Sequence, residues 1–129
     1  MINYNNVIKK MDYILLQILI CEESNTAYNS ISTPDLITLT QWSHVKVGQV
    51  VRNFAMFNFV AEGHKDGLRK TYYITQSGLD HFKEVMDVSE TDIDDMIEKY
   101  AKKKIEMGGV IKNVSKWEDS LYRHRSMWR

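Results

Sequence analysis

The sequence predicts a mainly α-helical fold carrying one small β-hairpin, and three observations lead there. Apolar side chains recur at three- and four-residue spacing in five separate stretches. Helix-start signals precede four of them, at Thr33-Pro34-Asp35, Ser43, Thr75 and Ser89-Glu90-Thr91-Asp92. Between the third and fourth stretches lie two β-prone runs separated by a polar loop bracketed by glycines. With 129 residues, 43% of them apolar and 26% charged, the chain has room for one compact domain and an appended element.

The first helix is expected over residues 7–23, where Val7, Ile8, Met11, Ile14, Leu15, Ile18 and Leu19 define one broad apolar face. The polar stretch 25–32 ends it as a turn. Thr33 is then placed to cap, Pro34 suits a first helical position, and Asp35 complements the helix dipole. A short second helix over 34–41 offers Leu36, Ile37 and Leu39 to the core. Ser43 caps a third helix over 44–57, with Val47, Val50, Val51 and Phe54 as its inward stripe. Asn58 follows it, a residue type that tolerates the left-handed backbone at a helix end. Two short helices joined this tightly are a helix-turn-helix signature.

Phe59 to Glu62 and Leu68 to Ile74 read as the strands of a hairpin, with Tyr72 and Tyr73 on opposite faces, one in the core and one partly exposed. Thr75 caps a fourth helix over 76–86 that buries Leu79, Phe82 and Val85 or Met86. Residues 90–128 continue a four-three spacing through Ile93, Ile97, Tyr100, Lys104, Met107, Ile111, Val114, Glu118 and Leu121. Gly108-Gly109 permits either one long helix or a helical hairpin. Two adjacent glycines cost a helix about 2 kcal/mol relative to alanines, which favours the break.

Charge is unevenly distributed. The chain carries 17 basic and 17 acidic residues, yet residues 43–75 hold five basic side chains against two acidic ones. The positive excess falls on the third helix and the hairpin. A single cysteine, Cys21, excludes an internal disulfide and sits in an apolar run where it reads as a small core residue. That run is too short to span a bilayer. No signal-peptide pattern opens the chain, so the expected location is the cytoplasm.

Helix, helix, tightly joined helix, hairpin, helix is the order of a winged helix. Residues 36–54 followed by Asn58-Phe59-Val60 resemble the helix-turn-helix of MarR-type and PadR-type regulators: a capping serine, a polar recognition helix, a large apolar residue near its end, then a turn into the wing. Lys70-Thr71-Tyr72-Tyr73-Ile74-Thr75-Gln76-Ser77-Gly78 resembles the Tyr-x-Leu-Thr-x-x-Gly pattern that closes the wing in the same families. The resemblance covers about residues 7–86. No helices precede the first as in MarR-type proteins, and Tyr28-Asn29-Ser30 replaces the glycine-tyrosine motif of PadR-type proteins, so it extends to the superfamily and not to a subfamily. Plasmid or phage centromere-binding adaptors of the TubR kind share the architecture. The resulting division is a winged helix-turn-helix domain over 1–88 and a dimerisation segment, helix or helical hairpin, over 89–129.

The resemblance implies double-stranded DNA as partner, and residue chemistry agrees. A helix fits the major groove with its N-terminal residues at base edges. Ser43, His44, Lys46, Gln49 and Asn53 fall outside the apolar stripe and offer hydrogen bonds; Val45 can meet a thymine methyl, and Gly48 permits close approach. An ordinary solvated face is the plainer reading of these residues. Arg52 fits a phosphate contact or an intramolecular ion pair equally well. In the hairpin His64, Lys65, Arg69 and Lys70 form a basic loop suited to phosphates or a minor groove, although exposed cations are common on any surface.

Candidates for chemistry are poor, and an enzyme is not expected. His44, His64, His81 and His124 lack metal-ligand spacing with one another or with Cys21. Asp92, Asp94, Asp95 and Glu98 lack the spacing of a calcium loop and suit a helix start. Lys102-Lys103-Lys104 reads as a solvated face, and neither cofactor nor metal is expected. Ile93, Ile97, Tyr100, Met107, Ile111, Val114, Trp117 and Leu121 are assigned to a twofold interface. The basic and aromatic C-terminal residues, Trp117, Tyr122, Arg123, His124, Arg125, Trp128 and Arg129, fit dimer packing better than nucleic acid. The leading reading is a dimeric, sequence-specific repressor. The rivals are a segregation adaptor whose tail recruits a second protein, and a winged protein-interaction module that binds no DNA.

Overall fold

The longest apolar run of the chain forms the helix around which the other elements pack. In the computed structural model, which describes residues 7–106, this helix is α1 (Tyr13–Cys21), and all nine of its residues are buried. The expected single apolar face is therefore corrected to a helix enclosed on every side, since α1 meets two later helices, the short helix after it and the sheet. Its start is also later than residue 7. A 3-10 turn (Lys10–Asp12) precedes it, and the Lys9 backbone N–H donates to Asp12 Oδ2 at 2.9 Å as part of a capping box. Each fully buried Leu or Ile here contributes about 1.5–3 kcal/mol.

The stretch expected to be a plain turn contains a strand, β1 (Ile31–Ser32). Ser24, fully buried, ties this connection to the sheet: its Oγ donates to the Tyr72 carbonyl and its own carbonyl accepts from Ile74 N–H at 2.8 Å. Helix α2 (Thr33–Thr40) follows, capped by Ser32 rather than Thr33. The Ser32 side chain accepts from Asp35 N–H, whereas Thr33 N–H is committed to the Lys70 carbonyl at 3.1 Å. Gln41 takes a left-handed backbone at φ 62°, and two residues later Ser43 caps α3 (His44–Met56), accepting from Lys46 N–H at 3.1 Å. Such a cap contributes about 1 kcal/mol. Val47, Val50, Val51 and Phe54 are buried as their spacing requires, and Asn58 carries the left-handed turn at φ 63°.

Strands β2 (Val60–Glu62) and β3 (Thr71–Ile74) make the hairpin, with β1 added on the far side of β3. All pairings are antiparallel, with Val60 opposite Ile74 and Ile31 opposite Tyr72. The sheet thus has three strands. In β3 the buried residues are Thr71 and Ile74, while Tyr72 and Tyr73 are both half-buried. Of the two, Tyr72 packs against the core, although neither tyrosine is fully enclosed.

Thr75 caps α4 (Gln76–Met86) by accepting from Gly78 N–H at 3.0 Å, and its hydroxyl donates to the Asn58 carbonyl at 2.6 Å. A side chain at position 78 would overlap the Phe59 carbonyl oxygen, so glycine is what lets α4 lie against the start of the wing. Phe82 and Met86 are buried, with Leu79 and Val85 packed beside them. Helix α5 (Glu90–Glu106) begins with a reciprocal cap: Ser89 Oγ accepts from Asp92 N–H, and Asp92 Oδ2 accepts from Ser89 N–H.

Helix α5 packs against α1. Ile93, Met96 and Tyr100 are buried in the same core as α1, and Ile97 lies against it. At the end of α1 the Tyr100 hydroxyl donates to the Glu22 carboxylate, and Lys104 Nζ reaches that group at 2.9 Å. Lys104 is therefore part of an inter-helix clasp and not of a solvated face, whereas Lys102 remains exposed and pairs with Glu98 at 3.4 Å. Met107, Ile111, Val114, Trp117 and Leu121 lie outside the described residues, as does the question of a break at Gly108-Gly109.

Candidate nucleic-acid interface

The surface of interest begins where the Ser43 cap turns the chain into α3. His44, Val45 and Gln49 are exposed there beside Ser43, and Val45 keeps 71% of its surface. The N-terminal amides of a helix favour an anion; Ser43, His44 and Val45 stand at that end, and Gln49 follows in the second turn. A polar, hydrogen-bonding edge with one methyl-bearing residue matches what a major groove presents.

Two residues expected on that edge are directed elsewhere. Lys46 Nζ pairs with Asp12 Oδ1 at 3.2 Å and lies 5.1 Å from the centre of the Trp42 ring. The Asp12 side chain is only 4% exposed, against 41% for Lys46, so the lysine supplies the countercharge of a buried carboxylate. Asn53 is half-buried and its Nδ2 donates to the Val7 carbonyl at 3.4 Å. Arg52 stays exposed and lies back along its own helix: a Cβ at Gly48 would sit 3.3 Å from its guanidinium.

The wing supplies the second group. Lys65 and Arg69 are exposed. Lys70 is exposed too but pairs with Glu62 across the hairpin at 3.5 Å. The His64 ring packs on Tyr28, centroids 4.4 Å apart, and its carbonyl accepts from the Thr71 hydroxyl at 2.6 Å. At the root of the wing, burial raises the Tyr72 phenol above its ordinary range, with Lys70, Glu62 and Arg52 close enough to act on it.

Behind this surface lies a buried polar contact that sequence reasoning did not single out. The Tyr13 hydroxyl and His81 Nε2 are 2.8 Å apart, and the His81 ring stacks on Phe59 at 4.1 Å. Burial depresses the imidazole below its ordinary value. Burial likewise pushes the Cys21 thiol well up, the setting of an inert core cysteine. Asp12, Tyr28 and Leu68 were also missed. For Asp12 a signal existed: a lone carboxylate inside an apolar periodic stretch needs a partner. Among the described residues, no group of three His, Cys, Asp or Glu could hold a metal ion, and no helix is long and apolar enough to cross a membrane.

Comparison with known proteins adds one finding. The chain is similar to the DNA-binding protein TubR of Clostridium botulinum C phage, with 29% identity over 79 residues, which is 61% of this chain and 98% of the phage protein. No family model matches the chain, and no solved structure matches it.

Proposed function

We propose that this chain binds double-stranded DNA as a homodimer and serves as a segregation adaptor of the TubR kind. The observation that carries this reading is the similarity to a phage protein named for DNA binding, which extends over nearly that protein's whole length. The fold supports it: a capped polar helix packed against a basic hairpin. In this reading Ser43, His44, Val45 and Gln49 meet base edges and neighbouring phosphates. Arg52, Lys65, Arg69 and Lys70 neutralise the backbone, His64 offers it a hydrogen bond, and Lys46 and Asn53 contribute from positions partly held by the protein itself. The chemistry is recognition and not catalysis.

One recognition helix reads only a few base pairs, so two copies are needed for useful specificity. Ile97 with Met107, Ile111, Val114, Trp117 and Leu121 makes the proposed dimer contact, and the rest of the C-terminal segment offers a docking site for a second protein. A repressor is the alternative, favoured by the motif resemblance to MarR-type and PadR-type regulators. Selection of bound duplexes from a random pool, followed by footprinting, separates the two. An adaptor protects an array of direct repeats; a repressor protects one short inverted repeat. Failure to bind any duplex at low salt would overturn both in favour of a protein-interaction module.

A further inference from the structure

The tip of the wing is built more tightly than its glycine-rich sequence suggests. Asp66 and Arg69 form an isolated antiparallel bridge, each N–H donating to the other's carbonyl at 3.0 Å. Only Gly67 and Leu68 lie between them. Gly67 has φ +66° and Leu68 is not among the positive-φ residues, the signature of a type II′ hairpin turn. Below the tip the hairpin is held by Gly63 N–H to the Thr71 carbonyl at 2.9 Å and by the Thr71 hydroxyl to the His64 carbonyl. This hydrogen-bonded turn presents Leu68 with 96% of its surface exposed.

Resting on the DNA-binding reading above, we propose that Leu68 is an apolar wedge that enters a base step of the minor groove and kinks the duplex. A single exposed leucine is unremarkable on a protein surface. This one stands at the furthest point of a basic hairpin, with Lys65 before it and Arg69 and Lys70 after it, all exposed. Asp66 at the tip and Glu62, which pairs with Lys70 at 3.5 Å, oppose part of that charge. Phosphates flanking a minor groove are drawn to the three cations, and the leucine between them meets the base edges. Apolar side chains so placed unstack a step, and the bend brings more protein surface onto the backbone. The two backbone bonds that close the turn limit the ordering cost on binding. Charge complementarity favours nucleic acid over an apolar protein partner, which would leave three cations desolvated.

The test uses the full chain and a duplex of alternating dA and dT, whose pyrimidine–purine steps kink readily. The duplex carries a donor–acceptor dye pair at its ends and 2-aminopurine at one central adenine. Binding of the wild type at low salt is expected to raise 2-aminopurine fluorescence and shorten the end-to-end distance. Leu68→Ala is expected to lose both signals and bind roughly tenfold more weakly, while keeping the wild-type salt slope. Leu68→Met, still apolar and long, is expected to retain them. A wild type that binds without either signal would overturn the wedge and leave DNA binding intact, as would a Leu68→Ala protein that bends the duplex fully. A wild type that binds no duplex would overturn the underlying reading too. Loss of self-association in Leu68→Ala with distortion unchanged would assign the residue to a protein contact instead.

Discussion

Lys46 Nζ lies 3.2 Å from Asp12 Oδ1, so a cation on the first turn of α3 neutralises a carboxylate buried at the head of α1. Lys46→Ala is therefore expected to destabilise the fold by about 1–3 kcal/mol, because the buried carboxylate loses its countercharge. Gln49→Ala, on the exposed face of the same helix, is expected to leave stability unchanged and cost about 1–3 kcal/mol at one base position. Asp12→Asn frees the lysine and should steepen the salt dependence of non-specific DNA binding by about 0.9 log units. Denaturant titration and affinity measured across salt concentrations check all three. Equal stability of Lys46→Ala and Gln49→Ala would refute the structural role of the pair.

The wing cations are not equivalent. Lys65 and Arg69 are exposed, whereas Lys70 shares its charge with Glu62. Replacing Lys65 and Arg69 together by alanine is expected to weaken binding to every sequence. The salt slope should flatten by about 0.9 log units for each phosphate left without its cation. Lys70→Ala should change it less. An unchanged slope in the double variant would show that the wing does not touch the backbone.

Stability should fall on acidification because of His81. Its ring is enclosed by Phe59 and Tyr13, and burial lowers its pKa below the ordinary 6.5, with Glu84 opposing that shift in part. The unfolded chain therefore binds a proton at a pH where the folded chain does not. The contribution of neutral His81 is complete above about pH 6.5 and declines as pH falls below it, until the folded imidazole also protonates. His81→Gln, which cannot titrate, should show a shallower loss of melting temperature between pH 7 and 5. Parallel curves for the two proteins would rule out this coupling.

Assembly can be separated from folding by where the chain is cut. Ile93, Met96 and Tyr100 pack in the core with α1, so truncation after Val88 is expected to destabilise the fold by stripping part of that core. Truncation after Glu106 keeps these core residues and removes Met107, Ile111, Val114, Trp117 and Leu121. Sedimentation of that shorter protein as a folded monomer with weakened DNA affinity is the expected result. A dimer at full affinity would place the twofold contact within residues 1–106.

The local grammar of this protein was legible in its sequence. Ser43, Thr75 and Ser89 cap the helices they precede, Asn58 takes the left-handed turn, and Val47, Val50, Val51 and Phe54 face inward. Each of these depends on bonds within a few residues or on helical periodicity, which spacing encodes directly. What only the tertiary structure decided involves groups far apart in the chain. The β1 strand exists because Ile31 and Ser32 meet Tyr72 and Thr71. The first helix is buried all round because α5 closes over it, and the polar partners Tyr13 with His81 and Lys46 with Asp12 meet across 68 and 34 residues. A residue's exposure, and with it the freedom of a lysine to reach DNA, is set by what the rest of the chain places beside it. Periodicity along a single helix carries no record of that neighbour.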